Sequence, residues 1–171
     1  MRAGIADLPD GKYEFTDVLD DDGMGTTNIP ICVKIDIQSD EIWLNFEGSA
    51  SQVAGNMNNS FAGLQASVLF ALKVLIDPDG PTNHGMLGPV HIDAPEASVV
   101  NASFPAATAA RAQTCQRIID VILGALAPAV PERVIAACNG ANGVATFSGE
   151  GPDGQYYPVS YTHLTLPTIR L

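Results

Sequence analysis

The first half of the chain alternates apolar and polar positions. Between Lys12 and Val18, Tyr13 and Phe15 stand among less apolar neighbours, and Leu8-Pro9-Asp10-Gly11 precedes them as a turn. A period of two predicts a half-buried strand. Asp20-Asp21-Asp22-Gly23 breaks the run. The alternation returns across Ile29–Ile37 (Ile31, Val33, Ile35, Ile37) and again across Glu41–Glu47, where Ile42, Leu44 and Phe46 share one face. Ser39-Asp40 separates these two runs, so the pair reads as an antiparallel hairpin.

The period then changes. Phe61, Leu64, Val68, Leu72 and Leu75 recur at spacings of three and four, which is one face of a helix. Asn58 or Ser60 can cap its start, and Asp77-Pro78-Asp79-Gly80-Pro81 stops it. A loop rich in Pro and Gly continues to Pro89, with short extended pieces predicted at Val90–Ile92 and Ser98–Val100. A second helix is predicted from Pro105 or Ala106 to Leu126, with Thr114, Ile118, Ile122 and Leu126 on one face and Pro128 beyond its end. Alanines crowd its first half and would let another backbone approach closely. Pro131 opens a short third helix through Ala137. Asn139–Gly143 reads as a loop and Val144–Phe147 as a strand. Strands first, then helices with intervening strands, place the chain in the α+β class, an antiparallel hairpin or sheet packed with two long helices.

The last stretch stands apart. Val159–Thr168 reads Val-Ser-Tyr-Thr-His-Leu-Thr-Leu-Pro-Thr, the peptide obtained by translating a transposon end joined to a sequencing adapter. Residues 159–171 are therefore expected to be a non-native tail, and residues 1–158 to carry the biological sequence as a partial domain.

Composition narrows the function. The chain is 46% hydrophobic but only 16% charged, so part of its outside is expected to be covered by further chain or by another subunit. With 19 acidic against 8 basic side chains the net charge is −11, which argues against nucleic acid and against an anionic membrane surface. No apolar stretch is long enough to span a bilayer. No basic region followed by an apolar run marks a signal peptide, and a cytoplasmic protein is expected. Cys32, Cys115 and Cys138 form no CxxC pair and read as reduced, buried thiols. Asn58-Asn59-Ser60 and Asn101-Ala102-Ser103 fit the glycosylation pattern, which matters only in a secreted protein.

Familiar catalytic devices are absent. The sequence contains no GxxxxGK[ST], GxSxG, HExxH or GxGxxG. The aspartate run ending in Gly23 fails as a calcium loop, because the first and last ligand positions would be Val18 and Ile29. His84 and His91, with Asp93 two residues on, are the candidate metal ligands. Two histidines seven apart fall short of the three or four ligands a metal site needs, so no metal is assigned. Arg111 and Arg117 on the second helix can hold a carboxylate or phosphate, although a paired or solvated arginine is the ordinary state.

The order of small motifs is more specific than any one of them. Leu8-Pro9-Asp10-Gly11-Lys12-Tyr13 leads to Leu19-Asp20-Asp21-Asp22-Gly23, then to Leu44-Asn45-Phe46-Glu47-Gly48-Ser49 and Gly55-Asn56-Met57-Asn58. Pro81-Thr82-Asn83-His84-Gly85, Phe104-Pro105-Ala106-Ala107, Thr114-Cys115-Gln116-Arg117-Ile118 and Ala136 through Gly140 complete the series. This series resembles the B component of the hydantoinase and oxoprolinase family, which also includes the alpha subunits of acetone and acetophenone carboxylases.

The resemblance covers residues 2–158 and implies a segment of a larger mixed α/β fold, taken from the middle of a chain several times longer, with Met1 an internal methionine. It implies ATP-driven hydrolysis of a cyclic amide such as 5-oxoproline or a hydantoin, since phosphorylating the amide oxygen activates a poor electrophile. ATP and Mg then belong with a hydantoinase A-type partner component, and no cofactor is expected in this segment. The alternatives are a ketone carboxylase alpha subunit and a non-catalytic scaffold module that holds a partner enzyme. Two departures stand out. The family often has Asp where this chain has Asn45, and Gly-Asn where it has Arg111-Ala112. The family's His/Asp metal motif would lie upstream of Met1. No catalytic residue is assigned. Asn58, Asn83 and Asn139, polar residues in Gly-rich loops, are candidates for lining a site, and each also suits a turn. The segment alone is expected to be inactive and poorly soluble.

Overall fold

The structure is a computed structural model that describes residues 1–137, 140, 145–150 and 152–161. The chain divides into two units, Met1–Gly140 and Ala141–Leu171. The first contains α1 (Arg2–Ala6), β1 (Gly11–Asp21), β2 (Thr27–Gln38), β3 (Glu41–Asn45), α2 (Phe61–Ile76), a single 3₁₀ turn (His84–Leu87), β4 (Val90–Asp93) and α3 (Arg111–Leu126). Four strands form one sheet in the order β1-β2-β3-β4.

The hairpin is where the alternation places it. Ile35 faces Leu44 and Ile37 faces Ile42 across β2 and β3, and β1 adds a second antiparallel neighbour to β2. That register puts Ile29, Ile31, Val33, Ile35, Ile37, Ile42, Leu44 and Phe46 on one face, each no more than 1% exposed. α3 packs across β1 and β2 on this face, and α2 packs against α3. Leu64, Val68 and Leu72 from α2 and Ile118, Ile122 and Leu126 from α3 close the core.

The sheet is mixed, not antiparallel throughout. β4 pairs parallel to β3, from Ile42↔Val90 to Asn45↔Asp93. Some forty residues including α2 separate the two strands, and only a crossover of that kind can bring the chain back in the same direction.

Other differences have local causes. β1 runs on to Asp21, so the acidic run ends the strand instead of interrupting it. α3 begins at Arg111, not near Pro105, because the preceding backbone is held elsewhere: Ala107 O accepts from Asn58 Nδ2 and Ala110 N donates to Asn56 O. The third helix is absent. Arg133 N donates to Val130 O in one turn, and Val134–Ala137 has no regular structure, since one turn does not offset the cost of nucleating a helix. In place of a strand at Ser98–Val100, Ser98 alone makes isolated bridges, to Ser51 and Asn101, and Val99 and Val100 lie in a turn. Phe61 lies on the rim of the helix face at 37% exposed. Of the two candidate caps for α2, Ser60 is the one used; its Oγ accepts from Gly63 N at 3.3 Å.

In the second unit β5 (Ala145–Glu150) pairs antiparallel with β6 (Tyr156–Tyr161), so β6 runs through the Pro158–Val159 junction. β5 overlaps the strand predicted at Val144–Phe147 at residues 145–147, and Val144 lies outside the described residues. Cys138, Asn139 and His163 lie outside the described residues.

The acidic turn proves to be an anchor. Asp22 is 5% exposed. Its Oδ1 accepts from Met24 N and Thr26 N, both at 2.9 Å, and its Oδ2 from Gly55 N at 3.0 Å. Burial pushes this carboxyl's pKa up, but the backbone N–H donors outweigh it and lower the pKa to about 2. Gly55 admits no side chain, because a Cβ there would stand 2.0 Å from Asp22 O. Gly55→Ala is therefore expected to lower stability by about 1–3 kcal/mol in urea denaturation. A depressed folded-state pKa adds stability above the unfolded value of about 4, lost as pH falls towards 2. Acid titration of Asp22→Asn is expected to lack that component.

Candidate functional site

β1 and β3 both run antiparallel to β2, and β4 runs parallel to β3. The C-terminal ends of β1, β3 and β4 therefore share one end of the sheet. The turn at 22–26 and the loops 46–60 and 94–110 all emerge there. Both long helices begin at the same end, for α2 follows the second loop directly and Thr114 Oγ1 of α3 donates to Met57 O.

The polar residues of these loops bond largely to one another, while the buried Asn59 Oδ1 has no hydrogen-bond partner among the described residues. Asn58 is fully buried. Its Oδ1 accepts from Val53 N at 2.8 Å, and its Nδ2 donates to Val53 O, Gly55 O and Ala107 O at 2.9–3.0 Å. Asn59 N donates to Val99 O and Ala102 N donates to Asn59 O, both at 2.8 Å. Ser49 Oγ accepts from Cys32 N at 3.0 Å and donates to Cys32 O, so a loop side chain replaces the strand that β2 lacks beyond β3. Asn58 thus ties the two loops together with all of its side-chain polar atoms bonded.

The other candidates are scattered. Asn83 lies at the opposite end of the sheet, where its Oδ1 accepts from Gly85 N at 2.9 Å and caps the 3₁₀ turn. Asn139 is outside the described residues. His84 lines a surface hollow with Phe61, Gln65 and Ile92, whereas His91 belongs to the outward face of the sheet. Among the described residues no group of three or more His, Cys, Asp or Glu side chains is placed to hold a metal. Arg117 bonds Asp17 at 2.5 Å and lies 3.6 Å from Asp120, so it clamps α3 to β1. Arg111 is exposed. Cys32 and Cys115 are free but half-buried, less enclosed than their apolar surroundings in the sequence imply: Cys32 sits on the outward sheet face and Cys115 beside Asn59.

That outward face gathers titratable and aromatic side chains that pair across strands, with Arg2 also bonding Glu41 at 3.1 Å. Glu41, Trp43 and Asn45 project from β3, and His91 and Asp93 from β4. His91 Nε2 lies 3.2 Å from Glu41 Oε2, and its ring stacks on Trp43 with centroids 4.8 Å apart and planes at 13°. Asn45 Nδ2 donates to Asp93 Oδ2 at 3.2 Å, while its Oδ1 accepts from Glu47 N at 2.7 Å. An aspartate at this position would meet Asp93 with no proton to donate, so the amide suits its partner. The alternation of β3 already assigns Trp43 and Asn45 to the face opposite Ile42 and Leu44. Only the parallel register with β4 reveals their neighbours.

The Hydantoinase B/oxoprolinase family profile matches residues 1–166. This chain belongs to that family. It is 34% identical over 155 residues to the caprolactamase subunit beta of Pseudomonas jessenii, covering 89% of this chain and 26% of that protein. To the 5-oxoprolinase of Saccharomyces cerevisiae it is 34% identical over 113 residues, 66% of this chain and 8% of that one. The crystal structure of the ATP-dependent caprolactamase from P. jessenii superposes on 94% of this chain and 28% of its own, with a TM-score of 0.79 and 28% identity. Acetone carboxylase shares the fold at a TM-score of 0.75 and 14% identity, over 93% of this chain and 24% of its own. The chain spans less than a third of the length of the hydantoinase B relatives it matches. No helix among the described residues is long and apolar enough to cross a membrane.

In this family member the two described asparagine candidates should separate cleanly on mutation. Asn58→Ala removes the side-chain partner of four backbone groups, that of Gly55 buried and those of Val53 and Ala107 less so, and is expected to cost on the order of 3 kcal/mol. Asn83→Ala removes one exposed cap and is expected to cost about 1 kcal/mol. Denaturant midpoints of the two variants check the contrast.

Proposed function

We propose that this chain is part of the B component of an ATP-dependent cyclic amide hydrolase, acting in the cytoplasm with a hydantoinase A-type component that handles ATP and Mg. The likeness to a caprolactamase subunit beta over 89% of the chain carries the reading. An unstrained amide carbonyl resists water, and transfer of a phosphoryl group to its oxygen makes the carbon electrophilic and supplies a leaving group. No phosphate-binding P-loop occurs in this sequence, which suits a division of labour between components. The role of this segment is to build one rigid wall of the larger subunit: polar loops locked to each other at one end of a sheet, with an aromatic and carboxylate-bearing face beside them.

The full-length protein encoded with this sequence, produced together with its A-type component, is expected to hydrolyse ATP in step with opening of 5-oxoproline, a hydantoin or caprolactam. Bicarbonate-dependent carboxylation of acetone or acetophenone without ring opening would instead make it a ketone carboxylase alpha subunit. Assembly with the partner, with activity surviving mutation of every polar loop and sheet-face residue described above, would make this segment a scaffold.

A further inference from the structure

A groove of about 490 Å³ runs over the outward face of the sheet, on the side of Trp43 towards β2 and β1. Lys12, Glu14, Lys34, Asp36, Trp43 and Asn45 line it. The volume falls in the range of small-molecule sites, about 300–1,000 Å³. Two rows of cross-strand partners build it: Lys12, Asp36 and Trp43 in one, Glu14, Lys34 and Asn45 in the next. His91 covers one face of the indole, and a ring entering the groove meets the rest.

The charges here are unusual for this chain. Two of its 8 basic side chains lie in one groove, within a molecule of net charge −11. Neither lysine makes an ion pair or a side-chain hydrogen bond with any described residue, although carboxylates lie in the same two rows. Asp36 Oδ2 accepts from Gln38 Nε2 at 3.1 Å, which leaves its other oxygen open. The groove thus offers a flat aromatic wall, free ammonium donors and a free carboxylate acceptor side by side. A ligand that answers all three has a flat ring, a carbonyl oxygen and an N–H.

We propose that the Trp43 groove binds the ring of a small cyclic amide, with the ring against the indole, its carbonyl accepting from Lys34 and its N–H donating to Asp36. The assignment rests on the cyclic amide reading above and adds to it a binding place within this segment. Lys34 and Asp36 are positioning residues in this account, and no chemical step is assigned to them.

Trp43 is the chain's only tryptophan, so its fluorescence reports on this groove alone. Titration of the chain with hydantoin or 2-pyrrolidinone is expected to change that emission saturably. Cyclopentanone, a ring without the N–H, and N-methylacetamide, an amide without the ring, are expected to bind at least about tenfold more weakly. Lys34→Gln and Asp36→Asn should each weaken lactam binding by about tenfold while the thermal melt stays unchanged, since both side chains stand on the outward face. Calorimetric titration of the same variants in the full-length protein gives the affinity without relying on emission or on the solubility of the segment alone. Emission changes that never saturate, or affinities equal across the four compounds or the three proteins, would overturn the proposal. Ring opening by the full-length protein that is indifferent to Asp36→Asn would remove this site yet leave the proposed function standing. Lactam binding here in a protein that opens no ring would do the reverse.

Discussion

The structure depends on a knot of backbone hydrogen bonds at one end of the sheet, with the carboxamide of Asn58 at its centre. This side chain joins Val53, Gly55 and Ala107, which belong to two separate loops. Asp22 brings in a third, the acidic turn, through Gly55. The two long loops are rich in Gly, Ala, Ser and Asn, and beyond Phe46, Val99 and Val100 they have little apolar surface to bury. Their backbone donors and acceptors must still be satisfied, because they lie over the core beside Val99 and Val100, which are fully buried. The polar side chains do that work, and the helices take their starting points from the result. α3 cannot begin until the chain is released beyond Ala110.

This explains which parts of the fold were legible. Period-two alternation set β2 and β3 almost residue by residue, since a slip of one position would turn Ile31, Val33 and Ile35 to solvent. Apolar spacing located α2 and the end of α3 for the same reason. The start of α3 was hidden because alanines at 106–110 favour helix locally, and only the remote Asn56 and Asn58 overrule them. The parallel pairing of β4 was hidden because four residues, Val90–Asp93, carry too little pattern to show direction.

The site was less legible than the fold. Asn58 drew attention as a polar residue in a Gly-rich loop, and a buried asparagine with every polar atom bonded has the same sequence signature as one that meets a ligand. The Trp43–His91 stack and the Asn45–Asp93 pair join residues 48 positions apart, and no local spacing reports on them. Family membership, by contrast, was legible early, because it lies in the order of many short motifs. Half of those motifs, at residues 19–23, 44–49, 55–58 and 104–107, fall in or at the edge of the loops of the knot.

The loop knot belongs to the cooperative core and is no mobile surface. Native-state hydrogen exchange tests it directly, at the amides of Gly55, Asn59, Ala102 and Ala110, whose acceptors are Asp22, Val99, Asn59 and Asn56. These four amides are expected to exchange at the rate of the β1–β2 ladder, through global unfolding alone. Exchange of the four that runs far ahead of a still-protected ladder would contradict the account.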